Sequence, residues 1–431
     1  HFFFCLCMSV AKNKFNLRNL RNLRIINNMK LTITGFSNSG KTTVFNALTG
    51  LNLPATTYPT LISAEVDPHV GVVKIPDHRI NKLSSVYKPK KTTYAAVEYI
   101  DYLGIASGGD AAQNSKVFNL IKDADAIVHV VRAFEDDAVV HPLGKIDAIR
   151  DVKAFETEII FGDLEFVEKR LERMEEASKK GKKQDEAGKP LLIKCRETLE
   201  NEISLRNISF SDEEKKIMLA YQFLSIMPEI IALNIGEGDL NTEKIKKLQN
   251  EIGNYFKEKN QKIIPPVITL CGKIEMEIAQ LPQDEAKAFL DDLGINEPAM
   301  NMLCRVSYET LGLISFFTVG EDEVKAWTIK NGTTAHKAAG KIHSDIEKGF
   351  IRAEVIGFDD FVLSYEAGYV KPSHFIYIEA IKKAKTDPSR ILYIDDIAKF
   401  VRAAKSLGIK GIQYRNFEKL KEDLKELNVK I

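Results

Sequence analysis

Gly35, Gly40, Lys41 and Thr42 stand in the spacing GxxxxGK[ST], and each residue type has a task in holding a phosphate. The two glycines let the backbone curl until successive N–H groups face one anion. Lys41 reaches the β- and γ-phosphates, and Thr42 offers a hydroxyl to Mg²⁺. Phe36, Ser37, Asn38 and Ser39 supply the amides between the glycines, with Thr43 following the motif. A helix that starts there aims its positive end at the same charge. An apolar strand-like run (Leu31, Ile33) precedes the loop and a helix-forming run (Val44 to Leu48) follows it. A glycine-rich turn that binds nothing accounts poorly for that context.

Two later segments complete a nucleotide-site pattern. Asp101, Tyr102, Leu103 and Gly104 spell DxxG at the end of a second strand. The aspartate there reaches Mg²⁺ through water, and the Gly104 amide faces the γ-phosphate. The next position, where most GTPases carry a water-orienting glutamine, is Ile105. Asn234, Ile235, Gly236 and Glu237 stand where a guanine reader has NKxD. An aspartate there accepts from guanine N1–H and the 2-amino group, and the longer Glu237 should disturb that pair. Cys271, Gly272 and Lys273 then lie where a loop would pack over the base.

The elements that position these residues alternate. Extended runs at Leu31 to Thr34, Ala95 to Ile100, Ala126 to Val131, Ile230 to Leu233 and Val267 to Leu270 are separated by helical ones. The fold class is therefore α/β, a mainly parallel sheet with helices on its faces. Between the third and fourth strands, Ile160, Leu164, Val167, Leu171 and Met174 form one helical stripe. After a Lys-, Gly- and Gln-rich loop (Lys179 to Lys189), Leu192, Cys195, Leu199 and Ile203 form another. This predicts an antiparallel helical hairpin, or else a solvated spacer without a partner. Ser211 with Glu214 predicts a capping box for the helix that returns to the sheet.

Composition agrees with a folded, multidomain chain: 431 residues, 44% hydrophobic, with a net charge of +1. No global field marks nucleic acid or membrane as a partner, so contact with RNA would need a local basic patch. Five cysteines without CxxC or zinc spacing read as reduced cytosolic thiols. No run after residue 29 has the length and apolarity of a membrane span.

These motifs resemble the YchF or Obg-like ATPase family. The carriers are GFSNSGKTTVFNALTG from Gly35, PHVGVV at 68–73, HVVRAFED at 129–136, NIGE at 234–237, and AWTIKNGTTAHKAAGKIHSDIEKGFIRAEVI at 326–356. The resemblance runs from about Met29 to Phe361. It implies an ATPase, with GTP as a further substrate, that hydrolyses its nucleotide with Mg²⁺ as a switch in ribosome or ribosomal-RNA association in the cytoplasm. It also implies a coiled-coil insert and a TGS domain, a small β-grasp module. A histidine in the HVVR strand, here His129, is implied to assist water attack; a lone histidine in AIVHVV is otherwise an ordinary strand residue. In related glutamine-lacking GTPases the loop asparagine, here Asn38, helps hold K⁺; stiffening the loop is its other reading. The candidate set is thus Lys41 and His129 for catalysis, Thr42, Thr60 and Asp101 for the metal, and the loop residues with Gly104, Asn234, Ile235, Glu237 and Gly272 for the nucleotide. A translation-type GTPase and a ribosome- or RNA-binding scaffold with negligible turnover are the alternatives.

The chain also departs from the family. The spacer from Tyr58 and Pro59 to Gly71 is longer than usual, and the stretch after Gly104 lacks the usual Lys- and Gly-rich pattern. Beyond Phe361 the sequence resembles the last third of a haloacid dehalogenase-like hydrolase, with Lys371 as its phosphate-binding lysine and Asp395 and Asp396 as its acid pair. That family's nucleophilic DxDx[TV] strand is missing from the segment, so no phosphatase activity is expected. The strands expected there are Phe361 to Ser364, Ile391 to Ile394 and Gly411 to Tyr414. The expected organisation is a non-native or disordered leader (1–28), an NTPase domain (29–153 and 207–306), the hairpin (154–206), an incomplete TGS-like part (307–361) and a Rossmann-like fragment (362–431).

Overall fold

The computed structural model describes residues 4–7, 29–53, 68–102, 105, 111–180, 188–240, 242–350, 354–357 and 371–427. Thr60, Gly104 and the expected strand at 361–364 lie outside the described residues, as does most of the leader. Two compact units divide the chain. The larger holds Lys14–Ile314 and Glu321–Thr334; the smaller holds His1–Asn13, Ser315–Gly320 and Ala335–Ile431.

The larger unit is built on a six-stranded sheet: β1 (Met29–Thr34), β2 (His69–Lys74), β3 (Ala96–Asp101), β4 (Ala126–Ala133), β5 (Glu229–Ile235) and β6 (Val267–Leu270). Their order is β2-β3-β1-β4-β5-β6, with every pair parallel except β2 with β3. Leu31, Ile33, Ile127, Val128, Ile230 and Ile231 are wholly buried, as strands covered on both faces require. β2 adds an antiparallel edge to the five strands read from the sequence, and it exposes Val70 and Val72.

Helix α1 (Lys41–Thr49) follows the glycine loop directly. Helix α2 (Ala148–Lys179) starts at a cap where Asp147 Oδ1 accepts from the Arg150 amide at 2.9 Å. Its first turns bury Phe155 and Ile159 in the cluster that holds Phe36, Ile105 and Val117. Its later turns carry the predicted stripe, where Ile160, Val167, Leu171 and Met174 meet Leu191, Leu192, Cys195 and Leu199, all but the first four carried by α3 (Gly188–Glu200). The helix is therefore longer than the stripe suggested, because its two halves serve different partners. Ser211 and Glu214 form the reciprocal capping box at 3.2 and 2.7 Å.

In the smaller unit, Phe4–Cys7 pairs antiparallel with Glu354–Gly357, and Cys5 also pairs with Phe317. Leu392–Asp395 and Lys410–Gln413 form a parallel pair, with Ile376, Tyr377, Ala404 and Ile409 as its core. Lys371 Nζ lies 2.9 Å from Asp395 Oδ2, and the Tyr393 hydroxyl donates to the same oxygen at 2.5 Å. No described helix in the chain is long and apolar enough to cross a membrane.

Candidate active site

The two motif glycines occupy positions closed to other residues. Gly35 has φ 144°, and a Cβ there would lie 2.4 Å from the Val130 carbonyl oxygen. Gly40 has φ 90°, and its Cβ would lie 2.2 Å from Asn234 Nδ2. The loop between them closes over its own lysine: Lys41 Nζ donates to the Phe36 carbonyl at 2.8 Å and is almost wholly buried. Desolvation pushes its pKa from 10.5 down to about 8, with Asp101 opposing the shift.

Thr42 and Asp101, the two described residues of the expected metal set, lie side by side. The Thr42 hydroxyl donates to Asp101 Oδ2 at 2.9 Å. Asp101 Oδ1 is buried with no hydrogen-bond partner among the described residues. Burial raises the Asp101 pKa, opposed by the Thr42 bond and by Lys41. A hydroxyl beside a carboxylate with an unused buried oxygen is a donor set that suits Mg²⁺. Ile105, at the glutamine position, is fully buried against Phe36 and Val117, and its amide donates to the Gly35 carbonyl at 3.0 Å. Its side chain is part of the core beneath the loop.

Asn234, at the end of β5, ties the loops together. Its Nδ2 donates to the Ser39 carbonyl at 3.1 Å, and its Oδ1 accepts from the Gly272 amide at 3.0 Å. The Ile235 side chain is buried in the neighbouring core, which leaves its backbone as the part able to face a base. Glu237 is exposed, and its Oε1 lies 2.6 Å from Lys273 Nζ. Asn38, in a left-handed conformation with φ 62°, donates from Nδ2 to the Val140 carbonyl at 2.8 Å.

That last contact belongs to a loop the sequence reading overlooked. Arg132 is 2% exposed, and its guanidinium donates to the carbonyls of Phe134 (3.2 Å), Asp136 (3.1 Å) and Val139 (2.8 Å). It also lies 4.5 Å from the centre of the Phe134 ring. Phe134 stands between the phosphate loop and the Asn234 loop: a Cβ built on Gly40 or on Gly236 would come within 3.9 Å of it. The HVVRAFED signature is thus a strand end plus the cation that knots the following loop.

His129 lies in the core of the sheet. It is wholly buried, with its ring stacked on Phe155 at 3.8 Å between centroids and Nδ1 3.2 Å from Glu229 Oε1. Desolvation pushes its pKa down to about 3. A ring sealed from solvent presents no nitrogen to an attacking water, so the catalytic expectation for His129 does not fit the geometry. Its surroundings form a buried ionic cluster instead. Arg206 Nη1 lies 2.5 Å from Glu229 Oε2, and Nη2 lies 2.9 Å from Glu156 Oε1, while Ser204 donates to Glu156 at 2.6 Å. Burial pushes the Glu156 pKa up to about 8 against the pull of Arg206. This cluster fastens α2 and the return from the hairpin to β5.

Comparison with known proteins agrees with this reading of the fold. The chain is 38% identical over 332 residues to the ribosome-binding ATPase YchF of Bacillus subtilis, covering 77% of this chain and 89% of that protein. The ribosome-binding ATPase YchF of Haemophilus influenzae is 37% identical over 335 residues, covering 77% and 90%. A family model described as a 50S ribosome-binding GTPase matches residues 30–161, and the C-terminal YchF-GTPase model, described as a protein of unknown function, matches residues 313–384. The structure of the Schizosaccharomyces pombe YchF GTPase superposes with a TM-score of 0.64 at 28% identity, covering 84% of this chain and 94% of that one. With a glycine loop, Asp101 and Asn234 assembled at the ends of one parallel sheet, and relatives of this identity spanning 77% of its length, the chain belongs to the YchF family.

Proposed function

We propose that this chain hydrolyses ATP, with GTP as a weaker substrate, by Mg²⁺-assisted attack of water on the γ-phosphate, and that turnover switches its association with the ribosome. The observation that carries the reading is the Thr42 and Asp101 pair beside buried Lys41, with one Asp101 oxygen left over. Relatives named ribosome-binding ATPases support the partner and the reaction. Lys41 exchanges the Phe36 carbonyl for a phosphate oxygen, and the amides of Gly35 to Thr43 cradle the same anion. Mg²⁺, when bound, supplies charge neutralisation on the β- and γ-phosphates, and Thr42 and Asp101 would hold it, joined by Thr60. Asn234 fixes the loops, Ile235 and Glu237 face the base, and Gly272 carries the loop that covers it. Asn38 is the residue through which K⁺ would act.

For the attacking water we favour His141 over His129: His141 is buried too, but it lies on the loop knotted by Arg132 rather than within a sheet strand. Its neighbour Val140 touches Asn38 of the phosphate loop, and Asp151 Oδ2 lies 2.9 Å from His141 Nε2. A base oriented by a carboxylate is a recurring arrangement. Both ring nitrogens are engaged here, Nδ1 by the Leu143 amide at 3.1 Å, so this role requires the loop to turn. Around the NTPase domain we place a hairpin at 154–206, a TGS-like part at 307–361 and a haloacid dehalogenase-like fragment at 362–431 without phosphatase activity, the whole acting in the cytoplasm.

The test is titration with fluorescent ATP and GTP analogues, with Mg²⁺ and then added K⁺, followed by steady-state hydrolysis. Tighter ATP binding and turnover abolished by Lys41→Ala are expected. A GTP preference would move the chain to the translation-type GTPases, and binding without turnover would leave a ribosome-binding scaffold. Turnover that survives His141→Ala would remove that residue from the mechanism.

A further inference from the structure

Lys273 and Glu237 face each other from two loops that one side chain fastens together. Glu237 opens the single helical turn after β5 (Glu237–Asp239), and Lys273 is the second residue of the helix Gly272–Gln280. Asn234 holds both loops to the phosphate loop through Ser39 and Gly272. An exposed ion pair ordinarily contributes little to stability. This one joins the two loops that Asn234 ties to the phosphate loop, so its consequence lies in which hydrogen-bonding groups it leaves there for a base.

We propose that Lys273 sets the base preference by occupying one oxygen of Glu237. This inference rests on the reading of Glu237 as the base contact of an ATP-preferring site. An ionised carboxylate is acceptor-only, and an ammonium is donor-only. Guanine presents two adjacent donors, N1–H and the 2-amino group, which need both carboxylate oxygens. Adenine presents one donor, the 6-amino group, beside one acceptor, N1. With Lys273 Nζ 2.6 Å from Oε1, the pair offers one acceptor next to one donor. That pattern matches adenine's edge, whereas the second guanine donor would have to share Oε1 with the ammonium beside it, a mismatch of the kind by which sites reject a near-isostere.

The experiment measures ATP and GTP dissociation constants for the full chain, for Lys273→Met, and for Lys273→Met combined with Glu237→Gln. The wild type prefers ATP. Lys273→Met frees the second oxygen and shifts the ATP-to-GTP affinity ratio toward GTP by about tenfold, the worth of one hydrogen bond to a charged group. The double variant restores the ATP preference, because the glutamine amide carries one acceptor and one donor on a single group. An ATP preference in the wild type that Lys273→Met leaves unchanged overturns the inference and spares the ATP reading. Failure of Glu237→Gln to restore the ratio overturns it as well. A wild type that prefers GTP overturns both.

Discussion

Replacing Lys41 with methionine should stabilise the nucleotide-free protein while removing its ability to bind nucleotide. Burial lowers the Lys41 pKa from 10.5 to about 8, which corresponds to a penalty of about 3 kcal/mol for keeping the ammonium charged in the folded state at neutral pH. Methionine removes that penalty. It also removes the donor to the Phe36 carbonyl, a loss of about 1 kcal/mol, and withdraws a cation from Asp101, whose carboxyl burial already pushes up. The expected net gain at pH 7 is therefore about 1–2 kcal/mol. Its pH dependence has a definite sign. The folded state binds this proton less tightly than the unfolded state, so the penalty is complete below pH 8, declines as pH rises from 8 to 10.5, and vanishes above that window. The advantage of Lys41→Met should shrink by about 1 kcal/mol between pH 8 and pH 9. Urea titration followed by Trp327, the chain's single tryptophan, reports on the unit that contains Lys41. A variant less stable than the wild type at pH 7, or a gap that does not change between pH 7 and pH 9, would refute the reasoning. The functional counterpart is that a phosphate supplies a countercharge to the Lys41 ammonium, so ATP affinity should fall above pH 8.

Arg206→Met strands Glu156 and Glu229 without their shared cation and should cost about 3–5 kcal/mol in the same urea assay; a loss below about 1 kcal/mol would show that the cluster does not hold α2 to β5. Arg132→Met takes the donor from three loop carbonyls and should weaken ATP binding severalfold while exposing residues 134–140 to limited proteolysis, with unchanged affinity counting against the loop as part of the site. Ile105→Gln, which restores the usual GTPase residue, should leave turnover no faster and lower stability by about 2–3 kcal/mol, because an amide would enter an apolar cluster. A rise in kcat would show that position 105 faces the phosphate after all.

The parts of this site legible in the sequence are those whose chemistry constrains neighbouring residues. The glycine loop is one, since Gly35 and Gly40 must adopt backbone conformations that only their spacing to Lys41 explains. Asp101 is another, because a strand end plus DxxG fixes both its identity and its place. The sheet was legible for a related reason: strands buried on both faces carry apolar runs, as Ala126 to Val128 and Val130 to Val131 of β4 and Ile230 to Leu233 of β5 do. The antiparallel edge strand β2, half exposed and interrupted by Gly71, carried no such signal.

What stayed hidden depends on partners far apart in the chain or on backbone atoms. Arg132 bonds three carbonyls of an irregular loop, and any residue supplies a carbonyl, so no pattern of side chains announces the knot. Glu156 lies in a highly charged helix where a carboxylate is most simply a solvated one; only the return of the chain at Arg206 and Glu229 makes it a buried partner. His129 shows the same difficulty in reverse. A histidine in an apolar strand is read either as a catalyst or as a satisfied core residue, and the deciding group, Glu229, lies a hundred residues away. Both of these elements lead toward the nucleotide loops: β4 runs from His129 to the Arg132 knot, and β5 from Glu229 to Asn234. Glu229 and Asn234 therefore lie near opposite ends of β5, while His129 pairs in register with Thr34, the residue before the phosphate loop. Through Glu156 and Arg206, helix α2 thus shares strand β5 with Asn234, the residue that holds the phosphate loop through Ser39.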